Sequence, residues 1–173
     1  MFSRINIGRV AKYTAQLRSY TKLASNDQIY VHKMADNGFK FSFSSNPRVL
    51  GLGYGTRDQD VNPNNFQPND VFVSLLHDNI GKSVEQDFTF VMEAGVNVSS
   101  YMPIYDMREI PRYARVPEID NIFGYVQVDD SGKIVPGSYQ SNEMYRVCNG
   151  TGLTKLSDYL LEKVQLSCEE VTQ

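Results

Sequence analysis

The chain has 173 residues, 17 basic and 20 acidic, and its net charge of −3 conceals a division: residues 1–26 carry five bases and no acid, whereas residues 27–173 carry a net −8. An asymmetry of this kind marks an appended segment with its own electrostatic role, and the acidic remainder excludes general nucleic-acid binding, which needs a basic surface to neutralise phosphates. A hydrophobic fraction of 41% with nine Phe and eleven Tyr excludes a disordered chain, and no apolar run reaches the roughly 18 residues of a membrane span, so a soluble product is expected.

The opening stretch, MFSRINIGRVAKYTAQLRSYTKLAS, places Arg4, Arg9 and Lys12 where a secretory signal needs an unbroken apolar run. A Ser- and Arg-containing, acid-free, amphipathic segment is instead the pattern of organelle import. Wound as a helix, Phe2, Ile7, Val10, Tyr13 and Leu17 share about half of the circumference and most bases share the other. The inside-negative potential of a mitochondrion draws in such a segment by about 2.3 kcal/mol per charge per 100 mV. Arg18-Ser19-Tyr20-Thr21 resembles the Arg-x-aromatic pattern at which matrix-processing peptidases cut fungal presequences, which places the mature N-terminus at or beside Thr21. Residues 1–22 are therefore expected to be a cleaved presequence read by the import machinery, and residues 23–173 a single domain of the mitochondrial matrix. A chloroplast address, a surface helix of the domain and a basic membrane-binding helix are the alternatives.

Along the domain, residues 28–34 and 39–43 are β-rich runs around an Asn-Gly turn and predict a hairpin. A two- or four-residue connection sets Tyr30, His32 and Met34 on the face of Phe39, Phe41 and Phe43; a three-residue connection puts Lys33 there instead and is the less favourable pairing. Residues 48–55 predict a short strand ending in glycines, followed by a long polar loop to Asp70. Residues 71–76 fit a helix capped by Asn69 or Asp70 slightly better than a strand. DFTFVM at 87–92 and residues 96–98 suggest strands. Pro103, Pro111 and Pro117 exclude a long helix and favour an extended surface path over 99–120. A second hairpin is expected from 122–128 and 133–135 around Asp-Asp-Ser-Gly, and another strand at 144–148. Leu153, Leu156, Leu160, Val164 and Cys168 recur at three or four positions and predict a final helix over about 154–166, N-capped by Thr151 or Thr154. The fold class that follows is α+β, a mostly antiparallel sheet built from hairpins with a C-terminal amphipathic helix packed on it.

Catalytic signatures are incomplete. Ile80-Gly-Lys-Ser83 has Leu76 where a Walker A loop needs its first glycine, and the dinucleotide-like glycines 51 and 53 are followed by Thr56 and a proline-containing loop, so both read as turn positions. His32 and His77 are too far apart for metal spacing, Cys148 and Cys168 form no CxxC, and neither a metal nor a cofactor is expected. The sequons at Asn97 and Asn149 matter only to a secreted chain.

Two stretches remain as site candidates, and the sequence leaves open whether the protein is an enzyme. Cys148, Asn149, Gly150, Thr151 and Gly152 could bring backbone amides and a thiol to an anionic metabolite at a strand-to-helix loop, with His32 or His77 as acid–base group. The stretch resembles the cysteine loop of cysteine-dependent phosphatases, but Thr154 stands where that family has its phosphate-clamping Arg, and Val147 where it has a His. A structural Cys in a glycine-containing connection is the plainer reading. Tyr105, Arg108, Arg112, Tyr113 and Arg115, in a Pro-rich loop, are residue types that anchor protein interfaces. Their plainer reading is a loop packed back onto the sheet. With no catalytic motif intact, the expected function is that of a mitochondrial accessory, assembly or interaction factor using this loop.

Overall fold

A computed structural model describes residues 20–112 and 115–171. The expected presequence lies outside the described residues up to Ser19, and so does Tyr113. The first half is a five-stranded antiparallel meander of β1 (Tyr20–Leu23), β2 (Asn26–Lys33), β3 (Phe39–Ser42), β4 (Gly53–Gly55) and β5 (Phe66–Pro68). Tyr20, Thr21 and Lys22 pair with His32, Val31 and Tyr30, so the boundary drawn after residue 22 falls inside β1.

The β2–β3 hairpin takes the register judged less favourable. Met34 N donates to Gly38 O at 2.9 Å, leaving Ala35, Asp36 and Asn37 as the turn. Asn37, with φ 64°, and not Gly38, occupies the left-handed position, while Asp36 accepts from Gly38 N at 3.0 Å. Asn tolerates that conformation, and a three-residue turn follows. Val31 therefore faces Phe41, and His32 faces Lys40. The sheet is covered on both sides at this point, with Ile29, Val31, Phe41 and Phe43 buried alternately with His32 and Ser42.

Helix α1 (Asp70–Ser83) begins where Asn69 accepts from Val71 N, and buries Phe72, Leu76 and Ile80 at a four-residue spacing. Past a single 3-10 turn, the segment expected as a strand is helix α2 (Phe88–Ala94), capped by Asp87 through Thr89 N, with Phe90 and Ala94 turned inward. A buried capping carboxylate and an i, i+4 apolar pair outweigh the β propensity of FTFVM. The expected strand at 96–98 is a turn.

A second sheet has the order β6-β7-β8, from Tyr101–Tyr105, Ile122–Gln127 and Gln140–Ser141. Pro103 is accommodated because β6 is an edge strand, and Met102 and Ile104 are core residues, so this part of the Pro-rich stretch is packed and not a surface path. Val128 bridges Ile134 across the Asp-Asp-Ser-Gly turn. The strand expected at 144–148 is displaced: Asn142 turns the chain by accepting from Met144 N, and a two-residue-per-strand hairpin follows, β9 (Cys148–Asn149) with β10 (Gly152–Leu153).

Helix α3 (Asp158–Glu170) starts four residues later than expected. Thr154 is held in extended form by a bond from its N–H to Val147 O at 2.9 Å, and Ser157 is the cap, accepting from Leu160 N. Leu160, Val164 and Cys168 are buried, and Gln165 Nε2 donates to Phe43 O at 2.7 Å, fastening α3 to the first sheet. Phe72 of α1 lies on Phe43 at a ring separation of 5.9 Å. One core runs from Leu23 to Cys168, and the fold is α+β. Among the described residues no helix is long and apolar enough to cross a membrane.

Candidate functional site

The two stretches singled out in the sequence meet in space, and Arg108 joins them. From the turn after β6, its guanidinium donates to Val147 O at 3.2 Å and Gly152 O at 2.6 Å, and also to Arg146 O. Its side chain is 4% exposed and pairs with Asp106, which is fully buried, at 3.2 Å. Asp106 further accepts from Arg108 N, Lys155 N and Tyr145 Oη, and Tyr145 Oη sits 2.6 Å from Thr154 Oγ1. Burial and the neighbouring Asp106 hold the Tyr145 hydroxyl protonated well above its ordinary range. This hub ties three backbone carbonyls of 146–152 to the base of the Pro-rich loop. Buried polar groups held by this many partners specify geometry, so Arg108 is a framework residue and not a free anchor. Tyr105 is likewise 5% exposed; its hydroxyl donates to Glu93 Oε1 at 3.1 Å and its ring meets Phe90 edge-on.

Beyond this base the chain continues through residues 109–119. Glu109 Oε2 accepts from Asn121 Nδ2 at 3.0 Å and Asp106 N donates to Asn121 O at 2.8 Å, closing the neck. Between them Ile110, Val116 and Ile119 are 68%, 76% and 49% exposed, and Arg112 and Arg115 are exposed beside them. Exposed apolar side chains in a segment that also carries exposed Arg residues have the composition of an interface centre. The three apolar positions are absent from the residues picked out of the sequence because Ile and Val there resemble core residues of an extended segment.

Residues 148–152 are the β9–β10 hairpin, with Gly150 and Thr151 at its tip. Asn149 closes it: Oδ1 accepts from Thr151 N and Thr151 Oγ1 at 3.0 and 2.7 Å, while Nδ2 donates to Asp120 and Asn121 at 3.2 and 2.9 Å. Gly152 has φ 118°, a conformation that favours glycine. The α3 N-terminus is not at this loop, so the strand, loop and helix do not form one amide cradle. Cys148 lines a cleft of about 560 Å³ whose walls include Pro63, Phe66 and Pro68 and whose charged groups are Asp70, Asp120, Glu143 and Arg146. Burial pushes the thiol up to about 11, with Arg108 opposing only in part. A thiol in that state is a poor nucleophile at neutral pH, and three carboxylates against one guanidinium suit a cation better than an anion.

His32 is held away from this region, whereas His77 touches it through the ring of Tyr145. His32 is 2% exposed and lies against Ser42 and Ser44. His77 bonds Tyr139 Oη through Nδ1 at 2.8 Å and meets the Tyr145 ring edge-on. Burial lowers the pKa of both. Among the described residues no cluster of His, Cys, Asp and Glu has the arrangement of a metal site. No family model, curated protein or solved structure matches the chain.

Proposed function

We propose that this chain is a mitochondrial matrix accessory or assembly factor that docks on a protein partner through the tip of the 109–119 loop. The observation that carries this reading is the uncovered set Ile110, Val116 and Ile119 with exposed Arg112 and Arg115, on a neck anchored by the buried Asp106–Arg108 pair. A base held by buried hydrogen bonds limits the ordering cost of association. The acid-free amphipathic segment before β1 supports the address. The test is purification of the tagged processed protein from mitochondria. A stoichiometric partner is expected, and Arg112→Glu, Arg115→Glu and Val116→Asp together should abolish its recovery without moving the melting temperature, since all three sites are exposed. Undiminished recovery by that variant would sink the proposal.

The cleft at Cys148 supports a second reading, a small-ligand site, because its volume lies in the range of ligand pockets. An anionic metabolite fits its carboxylates and its protonated thiol poorly. A melting temperature unchanged across a panel of anions is the outcome expected from the first reading.

A further inference from the structure

Helix α2 turns Phe90 and Ala94 into the core and leaves a second apolar row outside. Phe88, Met92 and Val96 recur at a four-residue spacing and are 75%, 61% and 82% exposed, with Val91 and Val98 at 41% and 45% beside them. The row continues past the end of the helix because Gly95 keeps right-handed helical angles, and Val96 N and Asn97 N donate back to Glu93 O and Ala94 O at 3.1 and 3.0 Å. A Cβ on Gly132 would lie 3.2 Å from Gly95 Cα and 3.6 Å from Val98 Cγ2, so the 129–132 turn rests on both and keeps Val98 near the helix end. No exposed position from 88 to 98 carries a charge: Glu93, the one acid of the stretch, turns to Tyr105 Oη. The five side chains present roughly 500 Å² of apolar surface, toward the upper end of the largest patch on an ordinary monomer.

We propose that this face is covered by a second copy of the chain, in an isologous dimer whose two-fold axis passes at Met92. The row is self-complementary. With the middle of three apolar residues at i, i+4 and i+8 on the axis, Phe88 of each copy lies opposite Val96 of the other in an antiparallel pair. Two such faces remove about 1,000 Å² of apolar surface, and a polar rim brings the total past the ~1,200 Å² of the smallest specific interfaces. The net −8 of residues 27–173 would oppose self-association across a charged surface, and the uncharged centre of this one permits it. At the rim, Glu85 and Lys133 edge a groove of about 340 Å³ that Val91 and Ile134 also line, so charges of both signs are at hand for pairing between copies. The same net charge repels an anionic lipid surface. This inference does not rest on the partner reading of the 109–119 loop, whose residues are not part of the face.

The test is sedimentation of the full chain beside variants at exposed sites. At tens of micromolar the full chain should sediment with twice its monomer mass, and its melting temperature should rise with concentration. Met92→Asp should sediment as a monomer, with an unchanged circular dichroism spectrum and a melting temperature independent of concentration. Met92→Cys should cross-link two copies when an oxidant is added, whereas Val171→Cys, at the exposed C-terminal cap of α3, should not. A monomer at that concentration would overturn the proposal, whether or not the face then captures another protein or a vesicle. A dimer that survives Met92→Asp would place the contact elsewhere, on the 109–119 loop if the Arg112→Glu, Arg115→Glu and Val116→Asp variant dissolves it, and would overturn the proposal equally.

Discussion

His32 carries its proton on Nε2, because that atom lies 2.9 Å from the Ser44 carbonyl, which can only accept. Nδ1 is then the atom left to titrate, and it is buried with no hydrogen-bond partner among the described residues. Charging the ring would place an unsolvated N–H⁺ beside Lys40, and burial with that charge lowers the pKa from its ordinary 6.5. The unfolded chain therefore takes up the proton first as pH falls, so stability is complete above about pH 6.5 and is lost below it, by about 1.4 kcal/mol for each unit of depression. His77, lowered by burial too, adds to the same loss. Glu93 has the opposite sign: burial raises its pKa above 4.5, so its contribution is present at low pH and fades as pH rises through the folded value. The urea midpoint should fall between pH 7.5 and 5.5, and His32→Gln should flatten that fall whatever it does to the midpoint at pH 7.5. A slope unchanged by His32→Gln would show that His32 is not the responsible group.

The elements are joined at their ends as much as along their faces. Asp87 caps α2 through Thr89 N at 3.0 Å, and Ser157, which caps α3, donates its hydroxyl to the other oxygen of Asp87. Both residues are buried, so removing either one breaks a cap and strips a partner from the other. Asp87→Ala and Ser157→Ala should each cost about 2–3 kcal/mol, above the ~1 kcal/mol of an isolated cap, and the double variant should cost at least ~1 kcal/mol less than their sum. Additive losses in denaturant titrations would mean that the helices are capped independently. The same pair explains what could be read in advance. Phe72 and Leu76 behind Asn69, and the run Leu156, Leu160, Val164 and Cys168, are legible because period and burial agree, although the first helix runs on past Leu76 to Ser83 and the last is capped by Ser157 and not by Thr151 or Thr154. FTFVM is read as a strand because its cap draws its worth from Ser157, 70 residues away. The β2–β3 register turns on whether Asn37 or Gly38 takes the left-handed position, a choice among similar energies that local sequence leaves open. At the site, the meeting of Arg108 with 146–152 is equally invisible, since its partners are backbone carbonyls, which every sequence supplies.

For the whole molecule, the division of charge falls close to the first described strand. The bases of residues 1–26 end inside β1, and the Arg18-Ser19-Tyr20-Thr21 pattern straddles its first residue. Tyr20 meets Tyr30 edge-on with ring centroids 5.0 Å apart, Lys22 Nζ stands 3.5 Å from the centre of the Tyr30 ring, and Leu23 is 3% exposed. A processed chain that begins at Tyr20 keeps all of these, whereas one that begins at Leu23 loses three strand residues and uncovers the edge of β2 around His32. The lost ladder bonds, at about 1 kcal/mol net each, amount to ~2 kcal/mol, which in a domain of this size lowers the melting temperature by roughly 4–8 °C. Calorimetry of the two truncated chains should show that difference, and mass spectrometry of the N-terminus recovered from mitochondria should place the cut no later than Thr21. Equal melting temperatures would mean that β1 adds nothing to the fold. A processed terminus at Leu23 or beyond would mean that processing trims into the sheet.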